Sequence, residues 1–186
     1  MKEKLKVPDE HKQNAPEKVN LALIIVSTSR YNETKLGKIS SDKTIPMVKR
    51  LLEAEQSITL SSTSIIPDSE DEIKRVSFEL LKDPLVDVII FSGGTGLSKK
   101  DVTYEILEPQ LKKKFDGFGE LFRHLSYNEI GASAMLSRAT AGILRGKKKN
   151  IAVFLLPGSP NAVRLALQHI LIPELGHILY IINKEE

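Results

Sequence analysis

The chain has 186 residues, of which 41% are hydrophobic and 27% charged; its formal net charge is +3 and it contains no cysteine. That size and balance predict one domain with a sizeable core and exclude disorder of the whole chain. The lack of cysteine excludes disulfides, thiolate catalysis and sulfur-ligated metal sites.

The positive excess comes from Lys and Arg scattered among acids. Compact basic runs occur at Lys112, Lys113 and Lys114 and at Lys147, Lys148 and Lys149, and both read as solvated surface. No nucleic-acid motif accompanies them, so no nucleic-acid partner is expected. No uninterrupted apolar run reaches membrane-spanning length and no secretory signal opens the chain, which predicts a cytoplasmic protein with no membrane attachment.

Residues 1–18 are polar, hold two prolines and show no periodicity. They read as a flexible N-terminal arm ahead of a single domain over residues 19–186. Val19–Val26 (VNLALIIV) is a nearly continuous apolar run, the pattern of a strand buried on both faces. Ser27, Thr28, Ser29 and Arg30 close it as a loop. Ile39, Ile45, Val48, Leu51 and Leu52 recur at helical spacing and predict a helix over about residues 37–55. Residues 57–66 alternate and are rich in β-branched side chains, which predicts a second strand. Pro67-Asp68-Ser69-Glu70 reads as a helix start, with Asp68 or Ser69 as cap and acids in the first turn. That helix runs to about Lys82, before Pro84.

Residues 86–91 predict a third strand. A glycine loop follows, then a long, mostly helical stretch interrupted at Pro109, Gly117, Gly119 and Gly131. Residues 151–156 form a later strand. Pro157-Gly158-Ser159-Pro160-Asn161 then opens a strongly apolar helix to about Leu171, which Pro173 breaks before a last helical segment. Short apolar strands alternating with helices predict an α/β fold, a three-layer α/β/α sandwich with a mainly parallel central sheet. Ligands of such sheets bind outside the carboxyl ends of the strands, where the strand order reverses. The loops at Ser27, Pro67, Ser92 and Pro157 all follow strands and so share that edge.

Phe91-Ser92-Gly93-Gly94-Thr95-Gly96 carries the strongest chemical signal. Glycines there allow a sharp turn whose N–H groups face a ligand with no Cβ in the way, a natural place for phosphate. The spacing fits neither the P-loop nor the dinucleotide fingerprint. Asp68 and Asp101 follow two of the edge loops. Their oxygens are hard donors suited to Mg²⁺, which commonly takes one or two carboxylates and completes its shell with water and phosphate. The plain structural alternative makes both acids helix caps. Pro157-Gly158-Ser159-Pro160 offers a second anion-holding turn, or only a helix start. Glu120 can accept a bidentate pair from the amidine-like edge of a pterin or purine, or simply pair with Arg123. His11, His124, His169 and His177 have no metal-ligand spacing, and no nucleophile elbow is present.

These motifs, with Asp101-Val102-Thr103, residues 117–123 (GFGELFR), Ser137-Arg138-Ala139 and Pro157-Gly158-Ser159, make the chain resemble the MoaB/Mog family of molybdenum-cofactor biosynthesis proteins and the G domain of gephyrin. The likeness runs over about residues 19–177, and residues 125–131 (LSYNEIG) resemble the MoaB branch. The resemblance implies a three-layer fold assembled as trimers, or as hexamers built from two trimers. It implies Mg²⁺-dependent transfer of AMP from ATP to molybdopterin, release of pyrophosphate and hand-over of the product to a metal-insertase.

Carried over by motif, Asp68 and Asp101 are the catalytic, metal-holding pair, and Ser92, Gly93, Gly94, Thr95 and Gly96 line the nucleotide phosphates. Glu120, Ser126, Ser159, Pro160, Ser27 and Arg30 lie toward the pterin. The chain departs from the family pattern at Thr28, where many relatives have Asp, and at Ser92, a frequent Thr. It departs also at Lys100, a frequent Arg, and at Tyr104, a frequent Pro. Because both acids are kept, an active enzyme is expected; a non-catalytic molybdopterin carrier or an oligomeric scaffold is the alternative.

Overall fold

A computed structural model describes residues 15–184; the arm expected over residues 1–18 lies, up to residue 14, outside the described residues. Five strands, β1 (Val19–Val26), β2 (Ile58–Ile66), β3 (Val88–Ser92), β4 (Thr140–Arg145) and β5 (Asn150–Leu156), form one sheet in the order β2-β1-β3-β5-β4. All neighbours are parallel except β4, which runs antiparallel to β5. Leu21, Leu23 and Ile25 face one side of the sheet, while Ala22, Ile24 and Val26 face the other, all buried. Burial on both faces is why β1, β3 and β5 read as unbroken apolar runs.

Among the described residues are seven α-helices, α1 (Thr28–Lys35), α2 (Thr44–Leu52), α3 (Glu70–Lys82), α4 (Thr103–Leu107), α5 (Asp116–Ile130), α6 (Pro160–Ala166) and α7 (Ile172–Asn183), with short 3-10 turns at Glu108–Gln110 and Gly131–Leu136. One face of the sheet packs against Val48 and Leu52 of α2, Phe118 and Phe122 of α5, and the apolar side of α6 and α7. The opposite face packs against Ile73 and Val76 of α3 and Leu107 of α4. The three-layer α/β/α architecture is therefore as expected. The chain moves from β1 outward to β2, then back past β1 to β3, so the order reverses between β1 and β3. Loops leaving the carboxyl ends of those two strands flank the crevice that such a reversal opens.

Five elements differ from expectation. Ser27 caps α1 through its hydroxyl, which accepts the Arg30 amide at 3.5 Å; this helix buries no residue, so it has no apolar period to detect. The helix expected from residue 37 begins at Thr44. Gly37 sits at φ 69° and Ile39 is 98% exposed, while Asp42 Oδ2 accepts the Ile45 amide at 2.7 Å and fixes the true start. β4 lies inside the stretch read as helical. Gly117 and Gly119 do not interrupt α5, because Phe118 packs edge-on to Phe154 with ring centroids 5.1 Å apart and holds that turn to the sheet.

Pro173 does not end the last helix. A π turn over Leu167–Leu171 joins α6 to α7, giving one helical run, Pro160–Asn183, of 24 residues. Proline lacks an N–H and its ring crowds the carbonyl four residues back; widening the preceding turn accommodates both. The run is long and apolar enough to cross a membrane, with a window of mean hydropathy 1.5, a property missed when Pro173 is read as a break. Leu167, Leu171, Leu175 and Leu179 lie buried in the core on the α2 and α5 side of the sheet.

Candidate functional site

β3 runs straight into the glycine loop, where Gly93 (φ 112°) and Gly94 (φ 63°) adopt backbone conformations that side chains disfavour. Space forbids a side chain there as well. A Cβ on Gly93 would overlap the Val26 carbonyl, and one on Gly94 would overlap the Thr103 hydroxyl and Asp68 Oδ1. A Cβ on Gly96 would lie 2.8 Å from Asp101 Oδ2. The loop is therefore the seat against which Asp68, from the end of β2, and Asp101, ahead of α4, both rest. Gly93 donates to the Leu156 carbonyl at 3.0 Å and the Gly94 carbonyl accepts the Thr103 amide at 2.9 Å. Among the described residues, the amides of Gly94, Thr95, Gly96 and Leu97 donate to no protein group. Consecutive free amides in a turn form an anion-binding concavity.

Neither acid caps a helix. Ser69 caps α3, its hydroxyl accepting the Glu72 amide at 3.3 Å, and the N-cap of α4 is Val102, with no side-chain cap bond. Asp101 instead accepts the Ser98 amide at 3.0 Å. Asp68 Oδ1 is buried without a hydrogen-bond partner, as is the Thr103 hydroxyl beside it. Burial, then the nearby Asp101 charge, push the Asp68 carboxyl up to about 6, partly offset by a hydrogen bond from the Val102 backbone. A buried, unpartnered carboxylate oxygen beside a second carboxylate is the environment a hard cation relieves. Among the described residues no cluster of three or more His, Asp or Glu could hold a metal alone. The pair therefore fits Mg²⁺, which draws its remaining ligands from water and phosphate.

The two acids and the loop border an open cleft of about 910 Å³, whose lining also includes Ser27, Arg30, Lys100 and Arg138. Arg30 is steadied by Asp42, 3.5 Å away, whose side chain is 3% exposed. Ser92 and Thr95 are buried. Their hydroxyls donate to the Pro157 and Leu156 carbonyls at 3.1 and 3.3 Å, stitching the glycine loop to the loop after β5.

The residues assigned to the pterin divide among three recesses. Ser27 and Arg30 lie in the main cleft. Ser126, Ser159 and Pro160 line a neighbouring recess of about 510 Å³ with Met47 and Phe122, and there the Ser159 hydroxyl caps α6 by accepting the Ala162 amide at 3.1 Å. Glu120 lines a separate recess of about 550 Å³ with Tyr104 and Arg123. Glu120 and Ser126, six residues apart on α5, face different directions, so the helix does not bring them together. Ser137 borders all three spaces. Arg123 donates to the Ser137 and Ala139 carbonyls at 3.4 and 3.3 Å.

Arg138 is a site residue with no role expected from the sequence, although it stands in the Ser137-Arg138-Ala139 motif. Its Nε donates to the Thr95 carbonyl at 2.9 Å and its Nη2 to the Gly96 carbonyl.

This fold and this pairing of acids with a glycine turn define the class: the chain belongs to the molybdopterin-binding family of molybdenum-cofactor biosynthesis proteins. Residues 22–177 match the family described as "Probable molybdopterin binding domain". The chain is 41% identical over 179 residues to "Molybdenum cofactor biosynthesis protein B" of Bacillus subtilis, covering 95% of this chain and 98% of that protein. It is 44% identical over 161 residues to the "Probable molybdopterin adenylyltransferase" of Methanocaldococcus jannaschii, covering 87% and 92% respectively. The crystal structure of the tungsten cofactor synthesizing protein MoaB from Pyrococcus furiosus superposes with a TM-score of 0.76 at 36% identity, over 90% of this chain and 99% of that one. The MoaB-type resemblance read from the motifs is thereby borne out.

Proposed function

We propose that the protein is a molybdopterin adenylyltransferase of molybdenum or tungsten cofactor biosynthesis. A terminal phosphate oxygen of molybdopterin attacks the α-phosphorus of ATP. The bond from that phosphorus to the bridging oxygen breaks, its electron pair leaves with pyrophosphate, and adenylyl-molybdopterin remains. The nucleophile is already an anion, so the protein needs to supply no base; it needs to align two anions and offset their charge.

Asp68 and Asp101 would hold Mg²⁺, which when bound neutralises charge on the phosphoryl oxygens. The free amides of Gly94, Thr95, Gly96 and Leu97 cradle the triphosphate. Lys100 offsets charge on the departing pyrophosphate, and Arg30, also in the cleft lining, receives a phosphate of the partner substrate. The recess at Ser126, Ser159 and Pro160 opens beside the cleft through Ser137 and Pro157, which supports it as the pterin side of the site.

The observation that carries this reading is that two acids meet at one glycine turn, neither is used as a helix cap, and one keeps a buried oxygen without a partner. Incubating the protein with Mg²⁺, ATP and molybdopterin is expected to yield the adenylylated pterin and pyrophosphate. An unchanged rate in Asp101→Asn would remove the metal-holding role. Molybdopterin binding without ATP turnover would select the carrier role instead.

The protein is proposed to act in the cytoplasm and to pass its product to a metal-insertase. A homo-oligomer, a trimer or two trimers paired, is proposed because Leu121, Tyr127, Ile130, Met135 and Leu136 are exposed on α5 and the turn after it. Large apolar side chains left exposed along one segment of the chain support a contact face there. Sedimentation velocity is expected to show the assembly, and a monomer at micromolar concentration would refute it.

A further inference from the structure

We propose that Arg138 positions the phosphate-binding turn, holding its carbonyls on one side so that its amides stay free on the other. The inference rests on the nucleotide reading of the cleft. Arg138 lies outside the turn, on the segment leading into β4, yet its guanidinium engages two successive loop carbonyls, Thr95 through Nε at 2.9 Å and Gly96 through Nη2.

A trans peptide unit is planar, with its C=O and N–H pointing in opposite directions. Fixing the Thr95 carbonyl therefore fixes the Gly96 N–H, and fixing the Gly96 carbonyl fixes the Leu97 N–H, both directed away from the guanidinium. These are two of the four loop amides with no protein partner among the described residues. A glycine-rich turn has many backbone conformations open to it; two charge-assisted hydrogen bonds select one.

The rest of the guanidinium is held in turn. Nη1 and Nη2 both reach the Glu105 carboxylate of α4, and the guanidinium carbon lies 4.5 Å from the centre of the Tyr104 ring. Arg138 holds the Glu105 carboxyl below the usual carboxylate range. Its side chain is 22% exposed while that of Glu105 is 52% exposed. The guanidinium is the shielded partner, and its charge is largely committed to Glu105 and the loop carbonyls. Tyr104 supplies an aromatic face to the guanidinium. Lysine at position 138 would keep the charge but lose the planar fork that spans two carbonyls and a carboxylate.

The test compares full-length wild type, Arg138→Lys and Glu105→Gln by backbone amide NMR, by calorimetric titration with Mg²⁺–ATP, and by steady-state adenylylation. In Arg138→Lys the amide resonances of residues 94–97 are expected to shift or broaden while those of β1 and β5 stay in place. Loss of hydrogen bonds made by a charged donor predicts a Kd for Mg²⁺–ATP raised about tenfold or more. The KM for ATP rises with it, while the KM for molybdopterin holds. Glu105→Gln keeps both carbonyl bonds and is expected to change ATP affinity by less than about threefold.

Guanidinium ion added to Arg138→Ala is expected to restore ATP affinity, and methylammonium is not. Wild-type ATP affinity in Arg138→Lys overturns the proposal. Should wild type itself bind no Mg²⁺–ATP, the adenylylation reading fails; the loop resonances then decide alone, since an unshifted loop in Arg138→Lys overturns the positioning role and a shifted one upholds it.

Discussion

Asp68 and Ser69 are adjacent and both are good helix caps by residue type, and the fold divides the work between them. Ser69 takes the cap, so Ser69→Ala is expected to destabilise the protein by about 1 kcal/mol, read by urea denaturation. Asp68 takes the site, and its effect on stability has the opposite sign. An acid whose folded pKa lies above its unfolded value is least costly when protonated. Its penalty is absent below the ordinary aspartate value of 3.8, grows as pH rises, and is complete above about 6. Ligand-free Asp68→Asn is therefore expected to be more stable than wild type at pH 7.5, with the gain vanishing near pH 4. Because Mg²⁺ must displace a proton from this carboxyl, apparent affinity for the ion is expected to weaken as pH falls through about 6. Calorimetry across pH 5 to 8, in about one-unit steps, checks that slope.

Among the elements, the turn after β3 is the least tolerant. Gly94→Ala combines a left-handed backbone with overlap of Thr103 and Asp68, and is expected to cost ~2 kcal/mol or more while abolishing ATP binding. Thermal melts with titration calorimetry separate the two effects. This turn was legible in the chain because three glycines in four residues have few other uses after a buried strand.

Elements without such signals were not legible. α1 (TSRYNETK) buries nothing, so its only mark is the Ser27 cap. β4 (TAGILR) contains glycine and is short; it became a strand through pairing with β5 from Thr140 to Arg145, a tertiary fact. The Lys112 and Ile143 amides exchange bonds with carbonyls across β4's other edge, again by long-range contact. Pro173 signalled a break that a π turn absorbed. Locally encoded features were readable, and those decided by a distant partner were not.

For the whole molecule, the sheet gathers residues distant in sequence onto one edge: Ser27 and Arg30, Asp68, Gly93 to Gly96, Asp101, Arg138 and Gly158 all border one cleft. Alternation of strands and helices foretold that edge, because parallel strands deliver every carboxyl end to the same side. What motif matching did not foretell is that Glu120 sits in its own recess, apart from Ser126 and Ser159. A helical face is set by rotation as well as by proximity in sequence. If the recess at Ser126, Ser159 and Pro160 receives the pterin, Ser126→Leu is expected to raise the KM for molybdopterin and leave that for ATP unchanged. Initial-rate measurements with each substrate varied in turn check this.

Gly158, after β5, comes so near the backbone of Gly93, after β3, that a methyl group on it would lie 3.2 Å from the Gly93 Cα. Main chain rests on main chain there, with no side chain between to be resized. An engineer grafting either segment from a homologue would need to transplant both as a matched pair. By the same token, the spacing between these two turns is set by backbone alone and stays constant whatever side chains line the cleft.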